Sequence, residues 1–362
     1  MLLMAIDHVR VYAGVPAGGA DPAVFFTRWI THFCAPIFVF FAGTSAALRR
    51  GSAGSLSRFL LTRGLWLILL ELTVIHFTWS FNPALMKDQM AGVIWMIGWS
   101  MVLMAGLVRL PWLGVTIFGA AVVFCHNLIP PPGDEVSPLA SILYYGFARG
   151  PVDLGGGLSL MVLYSIVPWV GVMALGFAFG RVLKLDPSRR DRLCLAIGLG
   201  ALAIFVLLRA FNVYGDPVPW AASGRMPAAL SFLNTTKYPA SLLFLLMTLG
   251  PPIALVPFLE KRSGPAAAVL AVFGRVPFFY YLLHIPLIHL LALGVSLLRF
   301  GEIVPWLFAN HPMNPGPMPE GYRWSLGLLY LVWAAAVGIL YVPCRRYAAF
   351  KSNRRDWWLG YL

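Results

Sequence analysis

Nine stretches of this chain are apolar, fully or nearly so, over the length a helix needs to cross a bilayer, and this governs what the chain can fold into. A crossing helix takes about 20 predominantly apolar residues at about 1.5 Å rise each. The stretches run over residues 25–48, 59–77, 90–108, 113–128, 158–180, 193–210, 241–259, 276–298 and 325–342. Composition agrees: 59% of residues are hydrophobic and 11% charged, against about 45–50% and about 25% in a soluble domain. A soluble globular enzyme, a disordered chain and a nucleic-acid-binding domain are excluded.

The chain opens inside an apolar run, MLLMAI, followed by DHVRVYAG. Residues 1–14 lack the positive start and small-residue cleavage site of a signal peptide. They read as the outer half of a first transmembrane helix. In-frame apolar codons upstream would support that reading, and a stop codon there would sink it.

Orientation follows from counting. The formal charge is +13, from 27 basic and 14 acidic residues. With the amino terminus inside and strict alternation, the short inner segments hold Arg49, Arg50, Arg58, Arg63, Arg109, Arg181, Lys184, Arg189, Arg190 and Arg192. They also hold Lys261, Arg262, Arg275, Arg345, Arg346, Lys351, Arg354 and Arg355, making 18 of the 27 basic residues. Such an excess on short loops sets topology, so much of the charge needs no anionic partner and no nucleic acid. The expected fold is all-α: a polytopic membrane protein with about ten transmembrane helices in a bundle and both termini cytoplasmic. Residues 1–344 form one transmembrane domain. Residues 345–362, ending KSNRRDWWLGYL, form a basic, aromatic tail along the inner interface.

The outer loops, 130–157, 211–240 and 299–324, are long and rich in Pro and Gly. Loops of that length carry function or are disordered, so they form either a lid or loose connectors. Cys34, Cys125, Cys194 and Cys344 are scattered, with no C-x-x-C pair. Neither a disulfide scaffold nor a metal site is expected. No internal repeat is visible, which weakens inverted-repeat transporter readings.

Ionisable residues inside apolar segments are costly and default to functional candidates. Asp7 and Arg10 are three apart, and His8 and Tyr12 four apart, each pair on one helical face. A histidine titrates near neutral pH and can accept a proton, and an acidic neighbour would orient it. Arg28 and His32 share a face before Pro36 perturbs their helix. Arg63, Glu71 and His76 lie on another segment, where Glu71 is expected to pair with an arginine or histidine of a neighbouring helix. Tyr280, Tyr281 and His284 share one face, and His289 lies about 140° around from His284. His126 and His311 fall at or outside the outer surface and receive no role.

Three runs, LLMAIDHVR, FFTRWITHFCAPIFVFFAGTSA and FGRVPFFYYLLHIPLIHLL, resemble bacterial relatives of the heparan-α-glucosaminide N-acetyltransferase catalytic domain. The last is also similar to the closing helix of the wider membrane acyltransferase superfamily. The resemblance implies transfer of an acyl group, acetyl first, from acyl-CoA to an amine or hydroxyl of a sugar-like or envelope acceptor, at the inner membrane. In the wider superfamily a histidine near the outer end of the first helix is implicated, and His8 matches that position. The lysosomal enzyme carries its histidine in the loop between the first two helices. Here residues 11–23 hold none, and His8 and His32 flank them.

Acyl transfer from a thioester needs a base for the acceptor's proton and a donor for the oxyanion. The expected base is His8, oriented by Asp7, with Arg28 or Tyr281 at the oxyanion and His32 and His284 as further site histidines. Arg49, Arg50, Arg63 and Arg275 are available for the coenzyme phosphates; no glycine-rich phosphate loop is present. The expected partners are the lipid bilayer and a small-molecule or glycan acceptor, with homo-oligomerisation left open. The alternatives are a transporter or flippase for a polar or lipid-linked molecule and a noncatalytic membrane assembly protein. Dependence on acyl-CoA separates them.

Overall fold

The computed structural model describes residues 1–224, 226–311, 314–354 and 356–362. Arg225, residues 312–313 of the last long loop and Arg355 of the tail lie outside the described residues. α1 (Leu2–Tyr12) opens the chain. It is followed by α2 (Pro22–Leu48), α3 (Ala53–Ser80), α4 (Val93–Leu107) and α5 (Trp112–Leu128). Then come α6 (Val167–Lys184), α7 (Pro187–Phe211), α8 (Leu242–Glu260), α9 (Pro265–Arg275), α10 (Pro277–Phe300) and α11 (Leu326–Ser352). Among the described residues seven of these, α2, α3, α6, α7, α8, α10 and α11, are long and apolar enough to cross a membrane. The protein is predominantly helical and multi-pass.

Local chemistry sets where the helices begin. Asp21, Asp186, Ser241 and Ser325 each accept a hydrogen bond from the backbone N–H three residues on. Pro22 and Pro187 stand at first helical positions, where no N–H is needed. Two helices change their winding along the way. α2 tightens to a single 3-10 turn over Ile30–Phe33, just before Pro36. α3 widens to a π turn over Glu71–Ile75, a feature frequent near functional positions.

The 158–180 segment is not one helix. Residues Ser159–Val162 form strand β3, and α6 begins at Val167. β3 lies between β1 (Asp88–Ala91), parallel to it with Asp88 opposite Ser159, and β2 (Val152–Asp153), antiparallel. A short apolar run bounded by Gly155, Gly156 and Gly157 does not distinguish strand from helix by periodicity. The alternate burial of β3 does.

The chain divides into two compact units. The first comprises residues 1–34, 73–87 and 262–362. In it α1 packs on α10 and α11, and α9 packs on α11. The second comprises residues 35–72 and 88–261, with α7 on α8, α3 on α4 and α5 on α6. Glycines let two of these pairs close. A Cβ on Gly64 would lie 2.6 Å from the Gly98 carbonyl oxygen, and one on Gly198 2.6 Å from that of Gly250. Close backbone approach through small residues is how helices gain packing without a hydrophobic driving force in lipid.

Two of the long loops are tied down by hydrogen bonds among their described residues. In the first unit the Trp324 N–H donates to the Ala13 carbonyl, the Tyr322 hydroxyl to Tyr12 O, and Arg299 to Tyr322 O. In the second, Arg209 holds the 212–240 segment by donating to the carbonyls of Val218, Ser231, Phe232 and Asn234. The helix α11 runs to Ser352, so the first residues of the basic tail continue it.

Candidate functional site

The site is built within the first unit. α1 carries Asp7, His8, Arg10 and Tyr12; α10 carries Tyr280, Tyr281, His284 and His289; the last turn of α3 brings Trp79. His284, His289 and Tyr280 are fully buried, with Tyr281 and Trp79 nearly so, while His8 is half-buried.

His8 and His284 meet ring to ring. His8 Nδ1 lies 2.6 Å from His284 Nε2, and the rings stack at 4.7 Å between centroids. On its other side, His284 Nδ1 hydrogen-bonds the Tyr281 backbone carbonyl. The order of these contacts fixes the protons. A carbonyl oxygen only accepts, so His284 carries its proton on Nδ1. Its Nε2, in a neutral ring, is then the acceptor, and His8 must donate from Nδ1. His8 Nε2 is then the unprotonated nitrogen of that ring. The Trp79 ring stands edge-on 4.8 Å from His8, and the Tyr281 ring 6.4 Å away. Tyr280 stacks on His284 at 5.4 Å.

The other site residues fall around this pair. Asp7 accepts from Arg10 Nε at 2.9 Å, as their spacing predicts, and Arg10 also donates to the Val15 carbonyl. The ring contact of His8 Nδ1 is with His284, and Asp7 lies one residue back on the same helix. His32 is buried in the 3-10 turn of α2. Arg28, half-exposed one turn earlier, makes no side-chain hydrogen bond or ion pair among the described residues. His289 is not part of the pair. Its ring lies between Phe81, at 4.4 Å, and Tyr12, at 4.9 Å, whose hydroxyl donates to the Trp79 carbonyl.

The arginines expected at coenzyme phosphates divide between the units. In the second, the Arg49 and Arg63 guanidinium groups lie 3.8 and 5.8 Å from the Phe59 ring centre, and Arg50 is exposed. In the first, Arg275 is exposed at the end of α9.

Three further polar groups are buried, and one of them, Glu71, differs from expectation. Glu71 forms no ion pair among the described residues. Its carboxylate accepts from the Ile94 N–H at 3.1 Å, at the start of α4. The orphan amides and positive dipole end of a helix serve a carboxylate as a cation would. His126 and His311 are 3% and 5% exposed. His126 sits against the carbonyls of Val122, Val123 and Ala240. His311, in β4 (Asn310–His311), lies 5.1 Å from His76; burial, reinforced by His76, pushes its pKa down to about 3. Trp79 escaped the sequence reading altogether, since an aromatic that cannot titrate stands out from no other in an apolar helix.

A family model described as heparan-alpha-glucosaminide N-acetyltransferase, catalytic, matches residues 1–208, more than half of the chain. The match takes in α1 with His8 and ends before α10. It favours a transferase over a transporter. No curated protein matches the chain.

Proposed function

The chain belongs to the heparan-α-glucosaminide N-acetyltransferase catalytic family, and on that premise we propose that it is a membrane acyltransferase using His8 Nε2 as general base. The donor is acyl-CoA, acetyl-CoA first. The acceptor is an amine or hydroxyl of a sugar-like or envelope molecule, and the setting is the inner membrane, with both termini cytoplasmic. The observation that carries this reading is the ordered relay from the Tyr281 carbonyl through His284 to His8, which puts the unprotonated nitrogen of His8 at Nε2.

The step balances as follows. His8 Nε2 takes the proton of the acceptor N–H or O–H as the acceptor heteroatom bonds to the acyl carbon. The C–S bond breaks, the thiolate leaves, and the imidazolium returns the proton to the sulfur. His284 keeps His8 in the competent tautomer and shares the positive charge that forms on it. Tyr281, its ring 6.4 Å from that of His8, or Arg28 donates to the oxyanion, His32 is a further site histidine, and Asp7, paired with Arg10, is the acidic neighbour that orients His8. Arg49, Arg50, Arg63 and Arg275 supply cations for the coenzyme phosphates.

The test is direct. Purified protein in detergent is given acetyl-CoA and a panel of amino sugars and glycan hydroxyls, and free thiol is followed. Acceptor-dependent thiol release supports the reading. Release that is absent with every acyl-CoA, alongside movement of an unmodified solute in vesicles, overturns it.

A further inference from the structure

Tyr12 of α1 is fully buried, and the proposed reaction does not use it. Its hydroxyl donates to the Trp79 carbonyl at 2.6 Å, and its ring stacks on that of Trp79 at 5.9 Å, with the planes 22° apart. The ring also stacks on His289 at 4.9 Å, and His289 lies against Phe81 at 4.4 Å. The Tyr12 carbonyl accepts from the Tyr322 hydroxyl at 3.0 Å, so both polar ends of the residue are engaged. A phenylalanine would make the same stacks. A hydroxyl is costly to bury unless it is bonded, and this one is spent on the Trp79 carbonyl.

That bond falls where α3 ends. The carbonyls of a helix's last turn have no partner within the helix, and Trp79 stands next to the last residue, Ser80. Phe81 follows with φ 49°, a left-handed conformation that bulky residues seldom adopt and that surrounding contacts must hold. Tyr12 serves both residues. Its hydroxyl takes the Trp79 carbonyl, and its ring stacks on the histidine that meets the Phe81 ring. The turn held in this way carries the Trp79 ring, edge-on 4.8 Å from His8. The hydrogen bond to His284 fixes the direction of His8 Nδ1 but lets the imidazole roll about that line. A second contact on the ring fixes where Nε2 lies, and Trp79 supplies one.

We propose that Tyr12 is a positioning residue for the acyl transfer: by holding the Trp79 carbonyl it sets the Trp79 ring against His8, and with it the place of His8 Nε2. The inference rests on His8 as the base. A reacting group misplaced by about 1 Å can lose about 10²-fold in rate, so one hydrogen bond behind Trp79 is felt at the base.

The experiment compares the full chain with Tyr12→Phe. Nitrogen NMR of labelled histidines comes first, because it needs no turnover. Wild type should show one set of His8 signals, identified by their loss in His8→Ala, and Tyr12→Phe a second or exchange-broadened set. With acetyl-CoA and an acceptor, kcat per folded molecule should fall about tenfold or more in Tyr12→Phe, with KM within about twofold of wild type. In a Trp79→Leu background the same substitution should change kcat by no more than about twofold, because the contact it acts through is gone. A purely structural loss would act equally in both backgrounds. Unchanged kcat in Tyr12→Phe, a change confined to KM, or equal losses in the two backgrounds overturns the proposal. A wild type that releases no thiol from any acyl-CoA overturns the acyl-transfer reading instead. The His8 signals then decide the positioning alone, and an unaltered set in Tyr12→Phe overturns it. Should Tyr12→Phe fail to fold, Trp79→Phe, which keeps the carbonyl and shrinks the ring, decides: undiminished kcat with unaltered His8 signals overturns the proposal.

Discussion

His8 and Arg209 are both ionisable residues on apolar helices, and by the cost of burying charge in lipid both would rank as functional. Their hydrogen bonds separate them. Arg209 directs its N–H groups at four backbone carbonyls and faces Asp216, each side chain 2% exposed or less. Nothing on it is left for a ligand, and its work is to fasten the 212–240 segment. The histidine pair instead uses its contacts to fix a tautomer, with the unprotonated nitrogen of His8 at Nε2. Burial marks a residue as consequential; whether its contacts hold a segment of backbone or set a tautomer distinguishes a fastening from a reactive group.

The largest effect expected from this contrast is on turnover. His8→Ala should lower acyl-CoA consumption by about 10²–10⁴-fold, the usual span for a general base, with thermal stability nearly unchanged. Arg209→Met should do the reverse. It leaves Asp216 buried without its cation and should cost about 3–5 kcal/mol of stability, read by denaturation, while turnover per folded molecule stays as in wild type. Loss of turnover beyond the unfolded fraction would break the distinction.

His284→Asn sharpens it further. As the group that positions His8, His284 should matter about 10–100-fold in kcat with little change in KM. The acid limb of the pH–rate profile should move as well, which a purely structural substitution would not cause. Gly92→Ala probes the third buried group. A Cβ there collides with Glu71 Oε1 and disturbs the carboxylate that caps α4; a loss of about 1–3 kcal/mol is expected in stability.

The last effect, spread over several pH units and absent at neutral pH, concerns His311. Its ring is held neutral, with the pKa down from 6.5 to about 3, so the unfolded chain binds the extra proton below 6.5. Stability from this group is therefore full above 6.5 and falls as pH drops toward 3, by no more than about 1.4 kcal/mol per pH unit. His311→Gln should flatten the acid side of a stability curve, and an unchanged slope would contradict this.

Much of this was legible in the amino acids because lipid leaves so few options. A run of some 20 apolar residues reads as a helix whatever its neighbours, and each of the expected segments contains one. Strand β3 was not legible, because a short, mostly apolar run of four residues soon after three glycines fits either period. At the site, His8 and His284 were each visible as polar residues in apolar runs. Their contact was not, since 276 residues separate them and helical spacing speaks only of neighbours three or four apart. The same limit explains Glu71. Its cost was evident, and so was the need for a partner. That the partner is a helix end and not a side chain depends on where α4 begins in space.

The most direct measurement is nitrogen NMR of the labelled histidines, with the His8 signals assigned by their disappearance in His8→Ala. The account predicts a proton on His8 Nδ1 and a bare Nε2 in the resting protein, shifting to Nε2–H in His284→Asn or losing tautomer preference there. A resting His8 with its proton on Nε2 would leave no base at the mouth of the relay and would contradict the account.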